Sequence, residues 1–548
     1  MKFRKSLKAL TPVLVLSLAF VFTIGCSKDE NNSNPAGPST GPAAPALSSP
    51  ADGADFGAET VAFDWSDVSG AVAYQLVVAA NANFSPAVLN DTTLTASTAN
   101  YDLSQATSDG AYFWRVRGKD SGGNWGDWSP VRTINRETVV ILTGTITQNT
   151  TLVNEKRYLL RGGVFIGRWD EPANKTVLTI EPGTSIYGES ASNGMLVISR
   201  GGKINAQGTA AAPIVFTSDK PVGQRARSDW GGVIINGWAP LNSGASAEGE
   251  GGTGTYGGDN PNDDSGIIKY VRIEFAGREI SPDNELNGLA LQGVGSATVI
   301  DYLQVHMNKD DGIEFFGGNA SARHVYLTGS GDDNFDWTDG WQGRGQFWVC
   351  QQYGDDGDRG IEADNNAENL DATPRSMPTI YNLTLVGARD IAAAGVSTQG
   401  TLLREGTGAK IYNAIVMNWG DCGIDLDHEP TFTNSWNGTA LNGTLVMNNS
   451  IFYSNTEDWQ TSDADEAGFP FTTEQFIRTL NGNNRFANPS LNAPLNRTAP
   501  DFRPAASSIA RTGAATPPND GFFESVSYVG GMDPNSNWLT GWTTSASN

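Results

Sequence analysis

The sequence predicts an all-β protein in which a β-sandwich is followed by a parallel β-solenoid. Three observations lead there. Glycine is abundant (64 residues) while charged residues make up only 18%, the composition of a chain with many tight turns. Residues 46–136 alternate apolar and polar side chains in short runs separated by turn residues, which is the period of half-buried strands. From residue 138 to about 545 a strand-like pattern recurs at irregular spacings of about 20 to 36 residues, the mark of stacked turns that each add one strand to several sheets.

The chain opens on "MKFRKSLKALTPVLVLSLAFVFTIGCSKDE". A basic start and an apolar run ending at Gly25-Cys26 read as a signal peptide over residues 1–25, and no second apolar run of membrane-spanning length follows. "TIGC" resembles a bacterial lipoprotein box, with Thr23 in place of the usual leucine. The resemblance implies lipidation of Cys26 and attachment to the outer membrane. Ser27-Lys28-Asp29-Glu30 is similar to the signal that sends Bacteroidetes-type lipoproteins to the outer surface. Residues 26–45 are poor in bulky apolar side chains and read as a disordered tether.

In the 46–136 segment, "VAFDWSDVSGAVAYQLVVA" places Val61, Phe63 and Trp65 on one face of a strand, with Tyr74, Leu76 and Val78 on the next. "AYFWRVRGKDSGGNWGDWS" repeats the alternation. These stretches resemble fibronectin type III domains, which implies a spacer or docking module without catalytic residues.

Beyond residue 138 the repeats are explicit: "IIKYVRIEF", "VIDYLQVHM", "ARHVYLTG", "TIYNLTLVG", "KIYNAIVMN" and "VMNNSIFYS". Asn382, Asn413 and Asn449 occupy the same place in their repeats, and a stacked side-chain ladder is expected there. The stretch 178–237 resembles right-handed parallel β-helix proteins of the pectin-lyase type. The closing residues are similar to the end of bacterial surface lipoproteins with that fold. The resemblance implies fold rather than activity, because lyases, hydrolases, adhesins and stalks share it. The far end of the solenoid needs a cap. "TTEQFIRTL", with Thr472 and Gln475 spaced as a capping box, and the tryptophan-rich tail are expected to supply it.

A second repeat follows some of the first: "DDGIEFFGG", "DDNFDWTDG", "DRGIEADNN" and "DCGIDLDHE". Strand alternation turns Ile313, Phe315, Phe335, Trp337, Ile361, Ile424 and Leu426 inward, and Glu314, Asp336, Glu362 and Asp425 outward. Acids on stacked turns lie about 4.8 Å apart and repel by about 3 kcal/mol at an effective dielectric near 20. Three readings fit this strip: a solvated acidic face, a Ca²⁺ site, or a catalytic pair. "NKDDGIEF" and "GSGDDNFDW" resemble the turns that carry the acids of polygalacturonase-type hydrolases. That resemblance makes Asp311, Asp332 and Asp333 the candidate acid/base group, although the family's Gly-His-Gly and Arg-x-Lys elements are missing. A Ca²⁺-dependent lyase would need a basic residue, for which Arg344 and Arg359 are the candidates. His428 is the one histidine outside a strand pattern. "GEGGTGTYGGDNPNDDSG" reads as a surface loop with partial calcium-loop spacing.

The formal charge of 36 − 60 = −24 makes nucleic acid a poor partner, since such binding needs a basic surface. With three cysteines there is no disulfide framework. The expected protein is a lipid-anchored surface β-helix that binds glycans or a surface component, with Ca²⁺ a candidate ligand. Alternatives are a polysaccharide hydrolase or lyase, and a structural stalk.

Overall fold

A computed structural model describes residues 41–548 except 57–59, 104–105, 107–108, 137–138, 172, 282–283, 394, 462–465 and 467. The signal segment, Cys26 and nearly all of the tether lie outside the described residues. The chain divides into two compact units, one built from residues up to Ile134 and the other essentially Asn135–Asn548.

The first unit holds two antiparallel sheets. One pairs Leu47–Ser49, Thr60–Trp65 and Thr98–Asp102; the other includes Ala73–Ala79, Ala87–Leu94, Gly110–Lys119 and Arg132–Arg136. Alternation along Thr60–Trp65 buries Val61, Phe63 and Trp65. Phe63 packs edge-on against Trp114 at 5.0 Å and Trp65 against Tyr74 at 5.5 Å. These contacts join the sheets face to face.

The second unit is a right-handed parallel β-helix. Its pairings resolve into three parallel sheets. Sheet 1 stacks short strands, among them Met195–Ile198, Gly232–Asn236, Leu289–Gln292, Ile313–Phe316, Phe335–Thr338, Ile361–Ala363, Thr401–Leu403 and Asp425–Leu426. Sheets 2 and 3 share long strands such as Val299–His306, Ser321–Thr328, Arg344–Gln351, Thr379–Val386 and Ala409–Met417. Each long strand bends at one residue, so its first half joins sheet 2 and its second half sheet 3. Inward side chains form one continuous core. Phe335 stacks on Trp348 at 4.4 Å and Phe315 on Trp341 at 3.9 Å.

The bend residues form a column: Tyr270 (φ 49°), Tyr302 (55°), His324 (48°), Phe347 (58°), Asn382 (57°), Asn413 (60°) and Asn449 (55°). Left-handed backbone is tolerated by asparagine and is a genuine outlier for aromatic residues. Stacking offsets that cost: Tyr270 on Tyr302 and Tyr302 on His324 both lie at 4.2 Å between centroids. The three asparagines share the column as expected, but their amides serve the C-terminal tail. Asn449 Nδ2 donates to the Gly513 carbonyl (2.8 Å), Asn413 exchanges two hydrogen bonds with the Ala515 backbone, and Asn382 Nδ2 donates to the Tyr528 carbonyl (2.8 Å).

The tail therefore runs along the side of the solenoid, where a cap over its end was expected. Trp538 and Trp542 meet the edges of His324 (5.3 Å) and Tyr270 (5.6 Å), and His306 Nε2 lies 2.6 Å from the Ala546 carbonyl. The far end is closed by Phe432, Phe471, Phe476 and Ile477, all buried. Thr472 and Gln475 complete the capping box reciprocally, at 3.2 and 3.0 Å.

Candidate functional site: an enclosed acidic strip

The register of sheet 1 aligns Ala290, Glu314, Asp336, Glu362, Leu402 and Asp425 in one outward column. Three consecutive acids therefore lie on adjacent turns. Leu402 separates Glu362 from Asp425, which is itself buried and accepts from Gln399 Nε2 at 2.7 Å. Asp425 thus lies beyond the strip proper. Of the three readings of the strip, a freely solvated face fits least, because Glu314, Asp336 and Glu362 are half-buried. Inward neighbours Ile313, Phe315, Phe335, Trp337 and Ile361 are fully buried, because alternation leaves them only the core.

The loops leading into these strands bring a second layer. Asp311 Oδ1 accepts from the Asp333 backbone N–H (2.9 Å), and Asp333 Oδ1 accepts from that of Arg359 (2.6 Å). Each buried carboxyl thereby ties its turn to the next. Of the acid/base group expected from the sequence, Asp311 and Asp333 are buried and hold backbone, and only Asp332 is open. Among the described residues, ligand atoms within 4.8 Å of one another occur in four sets: Asp310/Asp311/Asp332, Asp311/Glu314/Asp336, Asp332/Asp333/Asp358 and Asp333/Asp336/Glu362.

Two arginines gather at the Glu362 end, while Lys309 pairs with Asp356 at 2.8 Å and its charge reaches Asp332. Arg359 pairs with Asp358 (2.8 Å), Glu362 (2.9 Å) and Asp333 (3.4 Å), and Arg404 with Asp364 (2.9 Å) and Glu362 (3.0 Å). Burial acts to lower the Arg359 pKa, but Asp333, Glu362 and Asp358 outweigh it and hold the guanidinium above its usual value. That makes it a poor base. Arg344 does not belong to the site: it pairs with Asp520 of the tail at 2.9 Å and lies over the Phe522 ring.

Among the described residues no cation pairs with Glu314 or Asp336. Glu314 receives a hydrogen bond from Asn287 Nδ2 at 2.6 Å. Asp336 Oδ1 and Asn287 Oδ1 are buried without hydrogen-bond partners. Burial, then Asp311, raises the Glu314 carboxyl well above the carboxylate range; burial, then Glu314 and Glu362, does the same to Asp336. Burial and Asp332 push Asp310 up to about 8. Burial takes Glu362 to about 7 against the pull of Arg359 and Arg404.

Sequence reasoning missed Glu250, Glu285, Asn287 and Arg404. Glu250 lies in the glycine-rich loop taken for plain surface. Burial, then Glu285, raises it to about 7, and it acts on both Glu314 and Asp310. No local signal marks it, because the approach is made by an insertion between turns. The acids of "NPNDDSG" are spoken for: Asp263 pairs with Lys175 at 2.6 Å, and Asp264 with Lys203. His428 is exposed, with Asp427 3.6 Å away, and does not join the strip.

Residues 144–492 match the family described as a pectate-lyase-like β-helix domain. The chain belongs to this family. No curated protein matches it. Among solved structures, a family 28 exopolygalacturonase of Yersinia enterocolitica is similar at 9% identity, over 81% of this chain and 98% of that one, with a TM-score of 0.18. Pectate lyase PelI of Erwinia chrysanthemi, solved with tetragalacturonic acid, is similar at 11% identity, over 76% and 90%, with a TM-score of 0.12. The family match spans every residue of the acidic strip.

Proposed function

We propose that this chain is a lipid-anchored β-helix of the outer cell surface. Its acidic strip binds Ca²⁺, and through it a glycan or another surface component. The anchor reading rests on Cys26 at the end of an apolar signal, with a tether behind it. The cation reading rests on Asp336. A buried carboxylate without a partner costs several kcal/mol, so the group must hold a proton or meet a cation. The oxygens of Asp311, Glu314 and Asp336 lie within 4.8 Å of one another, and Asn287 Oδ1 adds a neutral donor. An all-oxygen set suits a hard cation. Ca²⁺ accepts roughly six to eight oxygens; these side chains supply fewer, which leaves places for glycan hydroxyls or carboxylates.

Thermal melts test this. Millimolar Ca²⁺ is expected to raise Tm, by the equivalent of about 2.7 kcal/mol at a hundredfold excess over Kd. Mg²⁺ should do less because it demands stricter octahedral geometry. Asp336→Asn should weaken the calcium effect. A melting curve unmoved by Ca²⁺ would overturn the reading.

A second reading, a polysaccharide hydrolase, is favoured by Asp310. With its pKa pushed up to about 8, it carries a proton at neutral pH, as a general acid must. The oxygens of Asp310, Asp311 and Asp332 lie within 4.8 Å of one another, short of the roughly 6.5–9.5 Å of an inverting pair and nearer the roughly 5–5.5 Å of a retaining one. Release of reducing ends from a polysaccharide panel would decide for the enzyme.

A further inference from the structure

Sheet 1 also carries a concave feature on its first turns, lined by none of the strip's acids. It is a cavity of about 430 Å³, within the roughly 300–1,000 Å³ of small-molecule sites. Phe165, Trp169, Thr145, Ser199, Asn236 and Thr255 are among its lining residues. The Trp169 side chain stands 58% exposed, a large apolar face presented to solvent beside hydroxyls and an amide.

The main chain at Trp169 is fixed, and the Arg200 guanidinium lies 5.9 Å from the indole ring. Arg200 Nε donates to the Trp169 carbonyl at 3.2 Å, and its Nη1 donates to the Gly257 carbonyl at 2.8 Å. Arg200 itself is buried, with its guanidinium 3.9 Å from the Trp238 ring. Gly167 (φ 76°) lets the chain turn here: a Cβ would sit 2.2 Å from the Gly201 carbonyl oxygen. A main chain already fixed leaves only the indole's own torsions to be ordered on binding, which favours affinity.

The polar lining selects the ligand class. Asn236 is 1% exposed; its Nδ2 donates to the Thr253 carbonyl at 2.8 Å, while Oδ1 is buried without a partner. Arg168 is the one charged residue of the lining, and Asp170 (3.3 Å) and Glu171 (3.4 Å) already face it. With two acids on one arginine, and Glu248 accepting from Thr255 at 2.6 Å, the cavity has no spare positive charge with which to attract an anion. An aromatic face beside several hydroxyls and an unsatisfied amide oxygen suits a molecule with an apolar ring face and hydroxyls at its rim.

We infer that this cavity binds a neutral sugar residue of a glycan, with the ring stacked on Trp169 and hydroxyls turned toward Asn236 and the threonines. The inference rests on the glycan part of the function proposed above and is independent of its calcium part.

The test is titration of the full chain with neutral cello-, xylo-, manno- and galacto-oligosaccharides in chelator, read by tryptophan fluorescence and calorimetry, with oligogalacturonate as the anionic control. At least one neutral series is expected to bind saturably. Trp169→Ala should weaken it tenfold or more at unchanged Tm, and Trp169→Phe should stay within about threefold. If no neutral series binds, if only oligogalacturonate binds, or if Trp169→Ala binds as well as the native chain, the inference fails. The calcium-dependent shift in Tm is a separate readout, so failure here leaves the cation reading standing.

Discussion

The carboxyl of Asp336 shows how one residue comes to depend on pH and on a cation together. Its own turn makes it an outward strand residue; the neighbouring turns set Glu314 and Glu362 against it. With Asp310 raised to about 8 and Glu362 and Glu250 to about 7, the folded chain retains protons that the unfolded chain has released. Stability therefore falls as pH rises. The contribution is flat below the unfolded values near pH 4. It declines through the window up to about 8 as Glu362 and Glu250, and then Asp310, ionise. Acids held low by a partner, such as Asp501 beside Arg503, act only below that window. In chelator, Tm is expected to drop between pH 4.5 and 8, with Asp336→Asn flattening the drop. Added Ca²⁺ should raise Tm most at the alkaline end. A Tm that climbs over this window in chelator would show that the strip is not strained.

At the scale of the element, the informative feature is the bend between sheets 2 and 3. The repeat "YN" at Asn382 and Asn413 was legible as a column because asparagine recurs at one place in each turn. Its continuation through Phe347, His324, Tyr302 and Tyr270 was not, since aromatic residues carry no left-handed signature. Nor was the partner visible: the asparagine amides bond to a segment about 65 to 145 residues downstream. Asn413→Ala removes both bonds to Ala515 and leaves alanine at φ 60°. A loss of about 1–3 kcal/mol is expected. Asn413→Gly, which relieves the backbone, should lose less stability in denaturant melts. Both variants should make residues beyond about 505 sensitive to protease. A tail that stays resistant in both would refute its attachment through this column.

For the molecule as a whole, the tail does for one flank what Phe432, Phe471 and Phe476 do for the end. It covers the stacked rings of Tyr270, Tyr302 and His324 with Trp538 and Trp542. It also gives buried polar groups their partners: Gln304 meets Thr544, and Gln346 meets Glu524. A chain ending near residue 509 should bare that column and the amides beside it, and an exposed apolar patch of this kind promotes association. Dye binding and oligomers in light scattering are the expected readouts. A monomeric, dye-negative truncation would mean that the tail is dispensable.

The sequence by itself determined the class, the repeat, the inward residues of sheet 1 and the acids that line its outer face. All of these follow from the two-residue period of a strand, which is local. Only the tertiary structure decided which acids touch, that Leu402 breaks the column before Asp425, and that Arg344 belongs to the tail's flank. The same holds for Glu250, which reaches the strip from an insertion between turns, and for the tail's lateral course. Those outcomes depend on how many residues each connecting loop holds and where it re-enters the stack. Register between turns is set by the packing of the shared core, and no pattern within a single turn encodes it.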